Sequence, residues 1–416
     1  MKVLVSAYAC HPLATEDSYP GEAILGWNLI RQLSRRHQLW VMTRSYNSEA
    51  IERAQREGEA ANVAFHYLSL PKAFSGLLRN FFGFRIYYLF WQIRAFRVAR
   101  RMHQDVGFDA FHQITFNNDW MPSFVGALLP IPFLWGPVGG GQRIPPTLLK
   151  ELDLKNRVLE RARLMGQWFW RKSCYRTRCA RRASAILVCN QETKQKILPL
   201  SRRVHFFPVN GISPSEYSPE AGRRRPPDTR FRVLYAGRLD PIKGLRLGLR
   251  AFERFSRKYP QAVFEIVGSG PEEGPLKKFV MDRGLQSNVF FTAWLPRREL
   301  LRKMEQCDIF LFPSFRDGGG AVVVEAMCAG KPVIGLDAGG PGFHIRPEWG
   351  IKISPRNREQ VVREMAESLE KLYLDEGFRN KLGQAARKRV NEFYVWDRLG
   401  EKLFEIYRTA LPPGIH

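Results

Sequence analysis

Short, uninterrupted apolar runs recur along the chain, separated by stretches in which apolar residues return every three or four positions. In the first half the runs occupy residues 2–7, 39–43, 63–68, 133–135 and 185–189. In the second they occupy 231–236, 263–267, 289–291, 309–312 and 332–336. A strand with apolar side chains on both faces must be covered on both, as in a parallel sheet layered between helices. The helical period predicts helices over 22–35 and 247–258. The order strand, Gly/Pro-rich turn, helix therefore starts twice, near residue 2 and again near residue 231. The fold class is α/β, with two doubly wound, Rossmann-like parallel-sheet domains in tandem. In such folds a ligand sits outside the carboxyl ends of the strands, so the cleft between the domains is the expected site.

The periodic pattern fails between residues 208 and 230, where Pro214, Pro219, Arg223, Arg224, Arg225, Pro226 and Pro227 crowd together. The junction is placed there. A length of 416 residues suits two domains. A hydrophobic fraction of 44% against 25% charged residues is that of a folded globular chain and excludes a disordered one. The apolar run of residues 3–10 is followed at once by His11 and Pro12, so it reads as a buried first strand rather than a signal peptide. The six cysteines include no close Cys-x-x-Cys pair and read as small buried hydrophobes in a reducing compartment. A cytoplasmic location is expected.

The net charge of +25 changes the picture, because it favours anionic partners. It concentrates in residues 79–101, 157–182 and 202–225. Residues 77–101 mix Phe81, Phe82, Phe84, Tyr87, Tyr88, Phe90 and Trp91 with arginines. The longest uncharged run there, 86–93, is far short of the roughly 20 residues of a membrane-spanning helix. Two readings stay open: a core helix with a solvated basic face, or a helix lying on an anionic membrane surface. Residues 157–182, with Trp168, Phe169 and Trp170, invite the same pair.

Two stretches carry candidate chemistry. In Asp317-Gly318-Gly319-Gly320-Ala321, a glycine turn follows an apolar strand and opens an apolar helix. Unobstructed amides at a helix start favour a diphosphate. Glu325, about one turn into that helix, needs a partner if buried, either sugar hydroxyls or a salt bridge. Arg238 and Lys243 follow the strand 231–236 at the same carboxyl edge, where two cations can neutralise a diphosphate. The sequence holds no Asp-x-Asp pair and no clustered His/Cys ligand set. No metal and no cofactor are therefore expected.

These residues resemble a family. Gly237-Arg238 with Lys243-Gly244, Val267-Gly268-Ser269-Gly270-Pro271, Pro313-Ser314, the Asp317 and Glu325 pair, Gly330-Lys331-Pro332-Val333 and Gly339-Gly340-Pro341 are similar in order and spacing to the retaining GT-B glycosyltransferases of family GT4. The likeness covers about half the chain, residues 208–395. In the first half Tyr19-Pro20-Gly21-Glu22 sits where the family has a glycine-bearing loop. The run from Trp135 to Gly141 resembles a bacterial surface-polysaccharide branch, such as that of lipopolysaccharide assembly. Phe393 and Trp396, leading to Tyr407, resemble the family's last helix, which crosses back to the first domain.

The resemblance implies an acceptor-side domain of residues 1–207, completed by 393–416, and a donor-side domain of residues 208–392. It implies a UDP- or GDP-sugar as donor and a saccharide or lipid-linked saccharide as acceptor, with retention of configuration and no metal. Arg238 and Lys243 would hold the diphosphate and Glu325 the ribose. Gly319, Gly320 and the Ala321 amide would contact phosphate or sugar, Asp317 the transferred sugar, and Gly21 the diphosphate from the first domain. His112 would lie near the reacting centre, or else be a satisfied histidine at a strand end. One residue departs from the pattern: the family has Glu where this chain has Asp317. A sugar-nucleotide epimerase of the same fold and, more remotely, a basic nucleic-acid-binding protein are the alternatives. No helix-turn-helix, zinc-finger or RNA-recognition signature supports the latter, so nucleic acid is not an expected partner.

Overall fold

A computed structural model describes residues 1–12, 21–79, 81–213 and 230–411, without the side chains of residues 79, 81 and 82. Among the described residues thirteen strands form two all-parallel sheets. The first contains β1 (Lys2–Ser6), β2 (Gln38–Arg44), β3 (Val63–Leu68), β4 (Ala110–Gln113), β5 (Phe133–Val138), β6 (Ala183–Val188) and β7 (Val204–Phe206). Its order is β3-β2-β1-β4-β5-β6-β7. The second contains β8 (Arg232–Ala236), β9 (Val263–Val267), β10 (Val289–Thr292), β11 (Ile309–Phe312), β12 (Val333–Leu336) and β13 (Gly350–Ile353), in the order β10-β9-β8-β11-β12-β13. Both are doubly wound. The strand order reverses between β1 and β4 in one sheet and between β8 and β11 in the other.

The apolar runs lie where the pattern put them. β9 and β11 match the predicted runs residue for residue, and β1, β4, β5, β11 and β12 are buried along almost their whole length. Three strands escaped the listing of runs: β4, β7 and β13. β7 is only half-buried and three residues long, and β13 carries Lys352, so neither shows a clean apolar run. Cys10, Cys179, Cys189, Cys307 and Cys328 are buried, Cys174 is exposed, and all six are unbridged.

Residues 208–213 leave the first sheet and residue 230 enters the second; the remainder of the predicted junction, including Pro214, Pro219, Pro226 and Pro227, lies outside the described residues. The chain returns. Ile212 N–H donates to the Tyr394 carbonyl at 2.8 Å, and Trp396 N–H donates to the Ile212 carbonyl at 3.2 Å. The last helix, Trp396–Ala410, then sets Trp396, Leu399, Leu403 and Tyr407 into the core of the first sheet. It also pairs Asp397 with Arg35 and Glu401 with Arg36.

The two basic aromatic segments part company. Helix Phe81–Val106 is a core helix that buries Tyr87, Tyr88, Trp91, Ala95 and Ala99, while Arg94, Arg97, Arg100 and Arg101 face outward and Arg85 lies over the Trp120 ring. Residues 154–182 form two helices, Leu154–Arg171 and Cys174–Arg182, and the first has the opposite polarity. Its buried residues are Glu160 and Gln167. Among the described residues no helix is long and apolar enough to cross a membrane.

Candidate functional site

Both topological switch points open onto one cleft of about 510 Å³. The first domain supplies Gly21 and Glu22 from the start of helix Gly21–Leu33, Asn117 and Asn118 beyond β4, and Gly139 and Gly140 beyond β5. The second supplies Gly237 and Lys243 beyond β8, Trp294 beyond β10, and residues 317–322 beyond β11.

At its centre the Asp317 carboxylate is gripped from two directions. Lys243 Nζ donates to Oδ2 at 2.6 Å. The Gly320 and Gly319 amides donate to Oδ1 at 2.7 and 3.1 Å. Both side chains of the ion pair are largely withdrawn from solvent, with 15% and 19% exposure. Burial alone raises the Asp317 carboxyl, but the Lys243 ammonium and the two amides outweigh it and hold the group below the usual carboxylate range. A site that holds a carboxylate between an ammonium and the start of helix Ala321–Cys328 is an anion site. The Ala321 and Val322 amides, also at the cleft, lie in the first turn, where a helix has no carbonyl to offer them.

Sequence and fold explain how that turn is made. Gly320 caps the helix with φ 63°, a left-handed conformation that costs a glycine nothing. The Gly339-Gly340 turn after β12 packs directly on it, so that a Cβ on Gly340 would fall 2.6 Å from the Gly319 carbonyl carbon. The glycine run also makes room for the other domain. A Cβ on Gly319 would meet Val209 at 2.3 Å, and one on Gly318 would meet Gln142 at 3.2 Å. Asn190 of the first domain and Asn210 of the segment leaving it donate to the Gly318 and Gly319 carbonyls at 3.1 and 3.0 Å. Beside them Glu160 accepts from both Arg163 and Arg316, joining the domains through a buried ion cluster. Burial raises its carboxyl, yet the two guanidiniums bring it below the usual range.

Of the residues singled out by sequence, Gly21, Lys243, Asp317, Gly319, Gly320 and Ala321 line the cleft together. Gly319 and Gly320 differ in one respect from the expectation: their amides are occupied by Asp317, so of the named amides only Ala321 is not engaged by it. Arg238 does not line the cleft; its guanidinium pairs with Asp240 at 2.9 Å and is 70% exposed. Glu325 is buried and paired with Arg297, on the same helix face as Ala321 and Val322.

His112 does not line the cleft. It is fully buried, and Nε2–H donates to the Gly136 carbonyl at 2.9 Å while Nδ1 accepts from the Tyr407 hydroxyl at 2.8 Å. Both nitrogens are used. Burial lowers its pKa to about 4, so the ring is neutral at pH 7.

Among the residues of the cleft or its walls that were not singled out are His344, Glu22 and Trp294. His344 repeats the arrangement of His112: its Nε2–H donates to the Gly319 carbonyl and its Nδ1 accepts from the Tyr394 hydroxyl. Glu22 accepts from the Phe116 amide at 2.5 Å, which holds Phe116 at φ 61°, and burial raises the Glu22 carboxyl. Trp294 presents an indole at the rim. The apolar Phe291–Leu295 run around Trp294 carried a weak signal; His344 had none, since its partner lies 50 residues away.

Residues 220–389 match the family model described as "Glycosyl transferases group 1". An uncharacterized glycosyltransferase of Methanocaldococcus jannaschii is 29% identical over 180 residues, 43% of this chain and 45% of its own length. The chain thus spans about half the length of the curated relatives it matches. Among solved structures, sucrose-phosphate synthase from Thermosynechococcus elongatus superposes with a TM-score of 0.66 at 19% identity, covering 98% of each chain. Anabaena HepE in complex with UDP superposes at 0.62 and 16% identity, covering 98% of this chain and 100% of its own. The whole chain has the GT-B fold, and its second domain matches the group 1 glycosyl transferase family over residues 220–389.

Proposed function

We propose that this chain is a glycosyltransferase that moves a sugar from a nucleotide donor to a saccharide or lipid-linked saccharide acceptor, with retention of configuration and without a metal ion. The observation that carries it is the gripped Asp317 carboxylate: Lys243 and the Gly319 and Gly320 amides just before helix Ala321–Cys328 already hold an anion where two switch points meet. The donor diphosphate takes Lys243 and the Ala321 and Val322 amides. Asp317, displaced from Lys243, turns to the transferred sugar. Glu325 accepts from the ribose hydroxyls, Trp294 stacks on the base, and Gly21 lets the first domain close over the phosphates. Arg238 joins them by leaving Asp240. The likeness to HepE, solved with UDP, supports a UDP-linked donor, and a GDP-linked one uses the same phosphate contacts. Peripheral contact with the inner face of an anionic membrane belongs to this reading, because a lipid-linked acceptor is presented there.

The test is a melting-temperature screen of UDP- and GDP-sugars with and without a chelator, followed by product analysis with and without acceptor. A preferred donor raises the transition by binding only the folded state. Its effect survives chelation. Absence of stabilisation by any sugar nucleotide overturns the proposal, and conversion of the donor sugar without acceptor identifies an epimerase instead.

A further inference from the structure

Helix Leu154–Arg171 is inside out. Its buried residues, Glu160 and Gln167, are polar, and together with Arg163 and Arg171 they form one stripe at helical spacing. The opposite stripe, Val158, Ala162, Met165 and Phe169, is exposed, with Leu154 and Trp168 at its margins. Leu154, Met165, Phe169 and Trp168 are 70%, 69%, 68% and 58% exposed, while helix Phe81–Val106 buries Tyr87, Tyr88 and Trp91. A helix gains by burying its apolar stripe, so a stripe turned outward points to an apolar medium beyond the protein.

The inward polar stripe has its own reason. Glu160 binds Arg163 and the Arg316 of the other domain, and Arg171 binds Asp119 at 2.6 Å and the Gly140 carbonyl at 3.2 Å. Those contacts fix the helix against the cleft wall and leave its apolar side no internal partner. The surrounding charge selects the medium. Residues 154–182 contain ten Lys and Arg against a single acid, Glu160, which faces inward. A second copy of this face would therefore meet it with like charge. Lys172 stands over the Trp168 ring at 3.7 Å, and Arg161 and Lys155 are exposed farther back along the same helix.

We propose that the outer face of helix Leu154–Arg171 docks on an anionic lipid bilayer, with Met165, Trp168 and Phe169 below the headgroups and Lys155, Arg161 and Lys172 among the phosphates. Gly140 and Gln142, which line the cleft, contact the inner face of the same helix, so docking sets the cleft about one helix diameter, roughly 10 Å, from the lipid surface. The benefit to a lipid-linked acceptor rests on the proposed transferase function; the docking itself does not.

The experiment is flotation of the full chain with vesicles of phosphatidylcholine and phosphatidylglycerol in equal parts, and with phosphatidylcholine alone, at low and high salt. No donor or acceptor is present, so the outcome is independent of activity. The wild type binds the anionic vesicles and is released by salt. Met165→Ser, Trp168→Ser and Phe169→Ser combined lower the partition coefficient at least about tenfold with an unchanged melting temperature, because the side chains are already exposed. Arg161→Glu with Lys172→Glu lowers it similarly and leaves binding less salt-dependent. Three results overturn the proposal. They are vesicle binding by the serine variant equal to wild type, no wild-type binding at low salt, and a wild-type dimer that the serine variant converts to monomer while neither floats.

Discussion

Replacing Lys243 by methionine removes one charge and keeps most of the side-chain volume. In the unliganded protein it strips Asp317 of an ammonium at 2.6 Å and leaves two amide donors. At an effective dielectric constant near 20 the pair attracts by about 4 kcal/mol. Much of that is offset by desolvation, and a hydrogen bond to a charged group contributes about 1.5–3 kcal/mol net. With the amides retained, the expected loss of stability at pH 7 is about 1–3 kcal/mol, or roughly 2–10 °C in melting temperature for a unit of this size. The loss has a signed pH dependence. The wild-type carboxyl lies below its unfolded value, so its contribution is complete above about pH 4 and disappears as pH falls through the folded value. The gap between wild type and Lys243→Met therefore closes in acid. For the liganded protein, loss of the only cation that lines the cleft among the described residues weakens a nucleoside diphosphate at least about 100-fold, near 2.7 kcal/mol. Calorimetric titration with UDP and GDP measures it. A folded Lys243→Met protein that binds both within about threefold of wild type would refute the anion-site argument.

Further outcomes follow from the same geometry. Asp317→Asn removes the internal competitor for Lys243, so UDP or GDP binds about tenfold more tightly by titration while sugar transfer falls at least about 100-fold in a product assay. Glu325→Ala weakens the donor about tenfold or more in the same titration; the transition in circular dichroism moves little if its bond to Arg297 is only a resting contact. His112 and His344 are held neutral by burial, with pKa lowered to about 4, so the unfolded chain binds more protons between that value and 6.5. Stability contributed by each ring is complete above about pH 6.5 and falls by roughly 3 kcal/mol as pH approaches 4. Urea midpoints measured from pH 7 to pH 4.5 should drop less steeply for His112→Gln and His344→Gln. The His112 variant keeps kcat within about threefold of wild type, because both ring nitrogens serve internal bonds.

Local pattern carried much of this protein. Apolar runs covered on both faces specify parallel sheets whatever lies between them, and β9 and β11 could be bounded to the residue. The glycine turn before helix Ala321–Cys328 announced an anion site, since a positive φ and free amides are properties of a few adjacent residues. What the chain alone left open were partnerships across long separations. Two loop cations look alike in sequence, yet Lys243 reaches Asp317 across 74 positions while Arg238 folds onto its neighbour Asp240. His112 and His344 acquire their tyrosines from 295 and 50 residues away, Tyr407 on the last helix and Tyr394 just before it, a return no local period encodes. The two basic aromatic segments invited the same pair of readings and had opposite fates. Helix Phe81–Val106 found an apolar layer to enter, whereas Glu160, drawn inward by Arg316 of the other domain, turned helix Leu154–Arg171 outward. Which face of a helix is buried depends on what the rest of the fold sets beside it, and only the tertiary structure decides that.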